Sequence, residues 1–439
     1  MVVRAGAIYM KRLLPEIIDS SAMVMPVFSA GMESNKSRKF VFDRSVDTAP
    51  VCLPGSKSIA ARAMVLSYVF GNRTRLTGLP DCDDTRELSA AMALLSQSGD
   101  GLTRYDLGTG GTSLRFFLAL AASLPGKDMI IDCSDALRRR PLRPLIDALR
   151  QAGADIECLE TEGCAPLRVR GGNLCGDGVA VNTEMSSQFA SALLMVSPLW
   201  TSPFILPRTV NAVSRPYIDM TDRMVRAFSM LPQQYHVEAD WSAASYFYEY
   251  ALLNPGCEVV IKNMPPLTGS LQGDSACADI FSRTGVHTHV DDFGHGHICG
   301  DPGAISRVRQ KREELIFDLG DQPDMVPALV VGLCFAGIYF RIVHISHLRH
   351  KESDRLEVLK TEMAKAGYEI EIGNDSLVWT GNKKPVVERS VFDSHSDHRI
   401  AMALSVATVA GGRMDLRDAD AVTKSFPDFY NQIAKLGII

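Results

Sequence analysis

Hydrophobic positions follow two alternating rhythms along this chain. Stretches with apolar side chains at helical spacing stop at Gly or Ala-Gly and give way to short β-like runs joined by a tight turn. The arrangement recurs in LIDALRQAGADIECLETEGCAPLRVRG (145–171), ACADIFSRTGVHTHVDDFGHGHICG (276–300) and VLKTEMAKAGYEIEIGNDSLVWTG (358–381), and Met92 to Leu107 supplies a fourth, degenerate copy. The intervals are too irregular for a stacked solenoid. The pattern therefore predicts an α/β protein, with several units packed around common cores.

A chain of 439 residues, 46% of them hydrophobic, can fill about two domains. One boundary is expected near 239–241, where HVEADWSAAS passes from a strand-like run into a helix starting around Ser242, and another near Pro54. With residues 40–54 rejoining the second half, the division is a discontinuous domain of 40–54 plus 241–439 around an inserted domain of 55–240. The chain then crosses twice, and a cleft at the crossings is a favoured ligand site. Residues 1–39 read as a flexible extension, or as the product of a start assigned upstream of Met25 or Met32. Lys11, Arg12, Pro15 and Glu16 break its apolar pieces, so neither a secretory signal nor a membrane span emerges.

The formal charge of −5 argues against a broad nucleic-acid-binding surface, so any cationic site must be local. Ten cysteines stand singly with no C-x-x-C pair, which fits reduced thiols in a cytoplasmic protein better than a zinc ribbon or a disulfide framework.

Local cations do occur, and they sit at helix starts. In LPGSKSIAARAMVLSYVF, Lys57 and Ser58 open a helix, and Arg62, four residues after Ser58, shares its face. Free N–H groups and the helix dipole favour an anion at such an end. LGTGGTSLRFFLAL repeats the idea, since Thr109, Gly110 and Gly111 leave the backbone open ahead of a helix bearing Arg115. In EMSSQFASALLM, Ser186 and Ser187 read as an N-cap pair, and Gln188 adds a neutral donor and acceptor. RHKESDRLEVL sets Glu352 and Arg355 on one face of a helix start, and SHSDHRIAMALSVA places Asp397, His398 and Arg399 at another. Any one cluster is an ordinary cap beside a solvated cation. Their recurrence in an acidic chain points to anion binding.

GSKS lacks the G-x-x-x-x-G-K-[ST] spacing of a P-loop. HTHVDDFGHGHIC (287–299) has metal-binding residue types, but alternating residues on an exposed hairpin give no closed ligand set, so no metal site is expected.

Read in order, PGSKS with Arg62, GTGGTSLR, RRRP, SSQF, SRPYID, PDM, HKESDR, SDHR and TKSFPDF resemble the motifs of the EPSP synthase (3-phosphoshikimate 1-carboxyvinyltransferase) family over about residues 45 to 435. The resemblance implies an enolpyruvyl transferase fold, an inside-out α/β barrel of two domains, each built from three βαβαββ repeats. It also implies two small-molecule substrates, phosphoenolpyruvate and shikimate 3-phosphate. Lys57, Ser58, Arg62, Ser186, Ser187, Gln188, Ser214, Tyr217, Asp324, His347 and Lys351 would contact shikimate 3-phosphate. Lys57, Gly111, Arg140, Gln188, Arg355, Arg399 and Lys424 would hold phosphoenolpyruvate. Three positions depart from the family pattern: Thr109 and Ala61, where Asn is common, and His347, which stands where Asn commonly precedes the Lys-Glu block.

By the same resemblance, Asp324 is the base at the attacking hydroxyl, and Glu352 with Lys57 handles the proton at the methylene carbon. No metal or redox cofactor is required, and neither nucleic acid nor membrane is an expected partner. The family is usually monomeric. One rival is UDP-N-acetylglucosamine enolpyruvyl transferase, which carries a reactive Cys before its R-P motif. Cys133, seven residues before Arg140 in an apolar run, is read here as structural. The other rival is a non-catalytic anion-binding module, which would have little use for both carboxylates.

Overall fold

The structure, a computed structural model, describes residues 37–99, 101–207, 213–386 and 390–439. The sequence rhythm becomes a six-element unit. Thr103–Asp106, Gly111–Ala122, Asp128–Asp132, Arg143–Gln151, Asp155–Cys158 and Leu167–Arg170 run strand, helix, strand, helix, strand, strand. A crossover helix allows the first two strands to pair in parallel, and the hairpin folds back antiparallel beside them. Leu315–Asp318, Val326–Ala336, Phe340–Val343, Arg355–Lys365, Glu371–Ile372 and Ser376–Trp379 repeat that unit with the same pairing.

A third unit recruits its first strand from far away in sequence. Val51 bridges Ile261 in parallel, and Trp241–Leu253, Glu258–Ile261, Cys277–Ser282, Val286–Val290 and Gly296–Gly300 complete the order. Ser37–Val41 likewise pairs with Arg413–Arg417. This strand starts at Ser37, so the expected extension gives up 37–39 to the fold, and its other residues lie outside the described ones. The expected copy at Met92–Leu107 also differs. Asp83–Gln97 is followed by one strand, Thr103–Asp106, which pairs with Asp128–Asp132 as the start of the next unit instead of forming a hairpin.

Two hydrophobic clusters form. One takes Phe40, Val51 and Leu53 and then residues from Ala239 to Ile438; the other takes residues from Ile59 to Val237. Lys57–Val69, Gly111–Ala122 and Ser187–Val196 pack on one another in the second cluster. Trp241–Leu253, Val326–Ala336 and His398–Val406 do so in the first. These helices are apolar around most of their circumference, as buried helices must be. The sheets cover them with one face turned outward, as in the alternating burial of Leu167–Arg170 and Phe340–Val343. That layering is the inside-out α/β arrangement, with helices central and sheets peripheral, and the described strands form separate sheets, not a closed barrel.

The chain passes between the clusters at Pro54–Ser56 and Glu238–Asp240, and the two passages lie side by side. Ser56 N–H donates to the Glu238 carbonyl at 2.8 Å and Asp240 N–H to the Pro54 carbonyl at 2.9 Å. Gly55 is needed there, because a Cβ would lie 1.9 Å from the Gly78 carbonyl oxygen.

Candidate active site

Seven helices bring their first residues or caps to one cavity: Lys57–Val69, Asp83–Gln97, Gly111–Ala122, Ser187–Val196, Arg215–Ser229, Arg355–Lys365 and His398–Val406. Each end contributes partial positive charge. Ser186 caps its helix by accepting from Gln188 N–H at 3.2 Å, and Asp397 caps its own by accepting from Arg399 N–H at 2.9 Å. The Lys57 and Gly111 helices have no side-chain cap, so their first N–H groups remain for a ligand.

Charge reinforces this. Seven Lys or Arg side chains line the cavity (Lys57, Arg62, Arg115, Arg140, Lys351, Arg355, Arg399) against three acidic ones (Asp84, Asp324, Glu352), an excess of four positive charges in a chain whose formal charge is −5. The acids are spent on holding the cations. Arg355, only 1% exposed, reaches Asp324 at 2.9 Å, Glu352 at 3.0 Å and Asp397 at 2.8 Å. Arg399 takes the other Asp324 oxygen at 3.0 Å, and Lys57 pairs with Asp84 at 2.8 Å. Arg140 and Lys424 approach Glu352 at 3.8 and 3.6 Å.

Burial pushes the Asp324 carboxyl upward, but Arg399, Lys351 and Arg355 outweigh it and hold its pKa well below the usual carboxylate range. Glu352 behaves alike, with Lys424, Arg355 and Arg140 overcoming burial. Both are therefore ionised in the free cleft. Burial lowers the Lys351 ammonium, an effect Asp324 only partly offsets. Burial, with Lys351 beside it, brings His347 down to about 4, and burial with Lys57 takes His398 well below its ordinary value. The two imidazoles are neutral, and neither ring nitrogen of either has a hydrogen-bond partner. They are buried polar groups able to meet a ligand.

The expected residues come together in this one place. Lys57, Ser58, Arg62, Gly111, Arg140, Ser186, Ser187, Gln188, Ser214, Tyr217, Asp324, His347, Lys351, Glu352, Arg355 and Arg399 line the cavity, and Lys424 stands behind Glu352. Their local settings differ. Arg62 is committed to the protein, donating to Thr221 at 2.7 Å, to the Ser58 carbonyl at 2.8 Å, and to Ser191 and the Tyr217 carbonyl at 3.2 Å. Gln188 accepts from Arg115 at 3.1 Å and donates to Thr112 at 2.9 Å. Ser214 sits at φ 54°, a strained conformation for a non-glycine residue. Glu352 lies before the helix that starts at Arg355, so the two are joined by an ion pair and not by sharing a helical face.

Sequence reasoning left Asp84, Thr112, Arg115, His350 and His398 without a role, yet they line the same cavity. Arg115 and His398 had a signal, since both lie in the helix-start clusters. Asp84, in the first turn of Asp83–Gln97, belongs to none of the motifs that stood out in the sequence. Of the departures, Thr109 lies in an exposed turn, its N–H held by Glu87 at 3.1 Å, and Ala61 is buried in the core.

A family model described as EPSP synthase (3-phosphoshikimate 1-carboxyvinyltransferase) matches residues 48–433. The chain belongs to the EPSP synthase family. A relative from Bacteroides fragilis (strain YCH46), named 3-phosphoshikimate 1-carboxyvinyltransferase, is 34% identical over 89% of this chain and 95% of its own. One of the same name from Syntrophobacter fumaroxidans is 34% identical over 91% of this chain and 99% of its own. The solved EPSP synthase of Acinetobacter baumannii superposes with a TM-score of 0.66 at 20% identity, covering 91% of this chain and 98% of that one, a likeness of fold. In this EPSP synthase family member Cys133 is buried outside the cavity, and burial together with Asp132 pushes its thiol up to about 12, so it is no ready nucleophile.

Proposed function

We propose that this cleft transfers the enolpyruvyl group of phosphoenolpyruvate to the 5-hydroxyl of shikimate 3-phosphate, releasing phosphate, as a step of chorismate and aromatic amino acid biosynthesis. The observation that carries the reading is the four-charge cationic excess surrounding two carboxylates that are themselves held by arginines. Each substrate bears one carboxylate and one phosphate, so the pair matches a site rich in Arg and Lys.

Gly111, Arg140, Arg355, Arg399 and Lys424 take phosphoenolpyruvate; Ser58, Ser186, Ser187, Ser214, Tyr217, His347 and Lys351 take shikimate 3-phosphate; Lys57 and Gln188 lie between them. Arg62 has most of its donors occupied, so it contributes charge more than contact. The hydroxyl oxygen bonds to the carbon bearing the phosphate, and Asp324 receives the hydroxyl proton. Glu352 with Lys57 adds a proton to the methylene carbon. The C–O bond to phosphate then breaks, one methyl proton returns to the same groups, restoring the double bond, and the departing phosphate carries away the proton that Asp324 took up. Bound anions compete for Arg355, Arg399, Arg140 and Lys424, which frees both carboxylates and lets their pKa values rise toward the range useful for proton transfer. The cations left on the phosphate stabilise it as it departs.

The paired passages at Pro54–Ser56 and Glu238–Asp240 serve as a hinge between a domain of 40–54 plus 241–439 and one of 55–240. Closing it excludes water from the reacting groups. The cavity lining is complete without a partner subunit, which supports a monomer, and ten cysteines with no C-x-x-C pair support a cytoplasmic setting. Among the described residues no helix is long and apolar enough to cross a membrane.

Purified protein given phosphoenolpyruvate should release phosphate only when shikimate 3-phosphate is present, and the product should gain the mass of the enolpyruvyl group. Release only with UDP-N-acetylglucosamine would move the assignment to that acceptor. Silence from folded protein with both would leave an anion-binding module.

A further inference from the structure

The histidine-rich hairpin has no part in the central cavity. Read along the hairpin alone its alternating histidines give no closed ligand set, and the neighbouring strand brings a carboxylate beside His289 and His297. In the sheet formed by Glu258–Ile261, Gly296–Gly300 and Val286–Val290, His297 lies opposite His289. Glu258 lies opposite Cys299 and therefore diagonal to His297 on the same outward face. Donor atoms of Glu258, His289 and His297 all fall within 4.8 Å of one another.

The individual contacts are close to what a metal needs. Glu258 Oε2 is 3.2 Å from His297 Nδ1, and the two imidazoles stack with centroids 4.5 Å apart and planes 12° apart. Tetrahedral zinc with bonds of about 2.0–2.2 Å sets its ligand atoms about 3.4 Å apart, which the Glu258–His297 pair already matches, while the His289 ring must swing out of the stack for its in-plane lone pair to meet the same ion. An outer support is also built. Asp291 Oδ2 stands 3.4 Å from His297 Nε2, while Asp291 Oδ1 accepts the Phe293 and His295 N–H groups at 2.9 and 2.8 Å, which fixes its position in the turn. A carboxylate accepting from the far nitrogen of a metal-bound imidazole is the arrangement that orients such ligands.

We propose that Glu258, His289 and His297 form a surface zinc site, with Asp291 orienting His297 and water completing the coordination. The ion clips the hairpin to the Glu258–Ile261 strand. Two imidazoles and a carboxylate are a donor set that zinc accepts.

Zinc(II) titrated into the full chain by calorimetry, with melting followed in parallel, tests this. Wild type binds one equivalent and melts higher with zinc. His297→Ala and His289→Ala lose the binding and the melting shift, Asp291→Asn weakens binding about 10- to 100-fold, and His287→Ala, an exposed histidine outside the set, leaves both unchanged. Cobalt(II) gives visible absorption in wild type that is absent in His297→Ala. Zinc binding equal in wild type and in the His289→Ala/His297→Ala double variant would overturn the site, as would a wild type with no affinity or melting shift.

Discussion

In the proposed reaction Asp324 and Glu352 act once bound anions have taken their partners from them. In the free cleft Arg355 joins Asp324, Glu352 and Asp397, and its removal would leave one buried and two half-buried carboxylates without their common cation. Arg355→Ala is therefore expected to lower stability by about 3–5 kcal/mol, as measured by chemical denaturation, besides abolishing turnover. Gly111 tests the phosphoenolpyruvate side. A Cβ there would lie 2.7 Å from Arg140 Nη1 and 2.9 Å from Arg115 Nη1, so Gly111→Ala must displace two guanidinium groups. Steady-state kinetics should show the KM for phosphoenolpyruvate raised several-fold with little change in that for shikimate 3-phosphate. At this scale the sequence revealed residue types and not their engagement. Lys57, Arg355 and Arg399 were legible as cations at helix starts. That Arg62 is largely occupied by the protein, or that His398 is neutral and unpartnered, depends on packing that no local motif encodes.

The central helices carry a cost of their own. Glu249, in Trp241–Leu253, faces Gly332 of Val326–Ala336, and neither carboxyl oxygen has a hydrogen-bond partner. Burial holds its pKa well above the ordinary 4.5. The folded state thus keeps a proton that the unfolded chain gives up. Stability from this group is greatest below about pH 4.5 and falls as pH rises toward the folded pKa, by about 1.4 kcal/mol for each pH unit. Glu249→Gln should remove that slope. Melting curves should show the variant gaining on wild type between pH 5 and pH 8, and parallel curves would refute the assignment. Three of the repeated helix–hairpin segments were legible because periodicity switches sharply at Gly153, Gly285 and Gly367. The copy at Met92–Leu107 misled because a helix followed by a strand has the same local pattern whether it closes one unit or opens the next.

The whole molecule depends on pairings that sequence distance hides. Val51 and Ser37–Val41 complete sheets whose other strands lie more than 200 residues away, and the two side-by-side passages follow from that insertion. Turns at Pro54 and near residue 240 marked the places but not their hydrogen bonding, and the third donor of the histidine cluster was hidden for the same reason. The same topology gathers acids and bases from both clusters at one cleft, Asp324 among them. Shikimate 3-phosphate-dependent phosphate release by Asp324→Asn is the most direct test, because the amide keeps the shape and one acceptor for the arginines while losing the base. The account predicts a kcat lower by about 10²–10⁴-fold with phosphoenolpyruvate still bound. A rate within tenfold of wild type would contradict it.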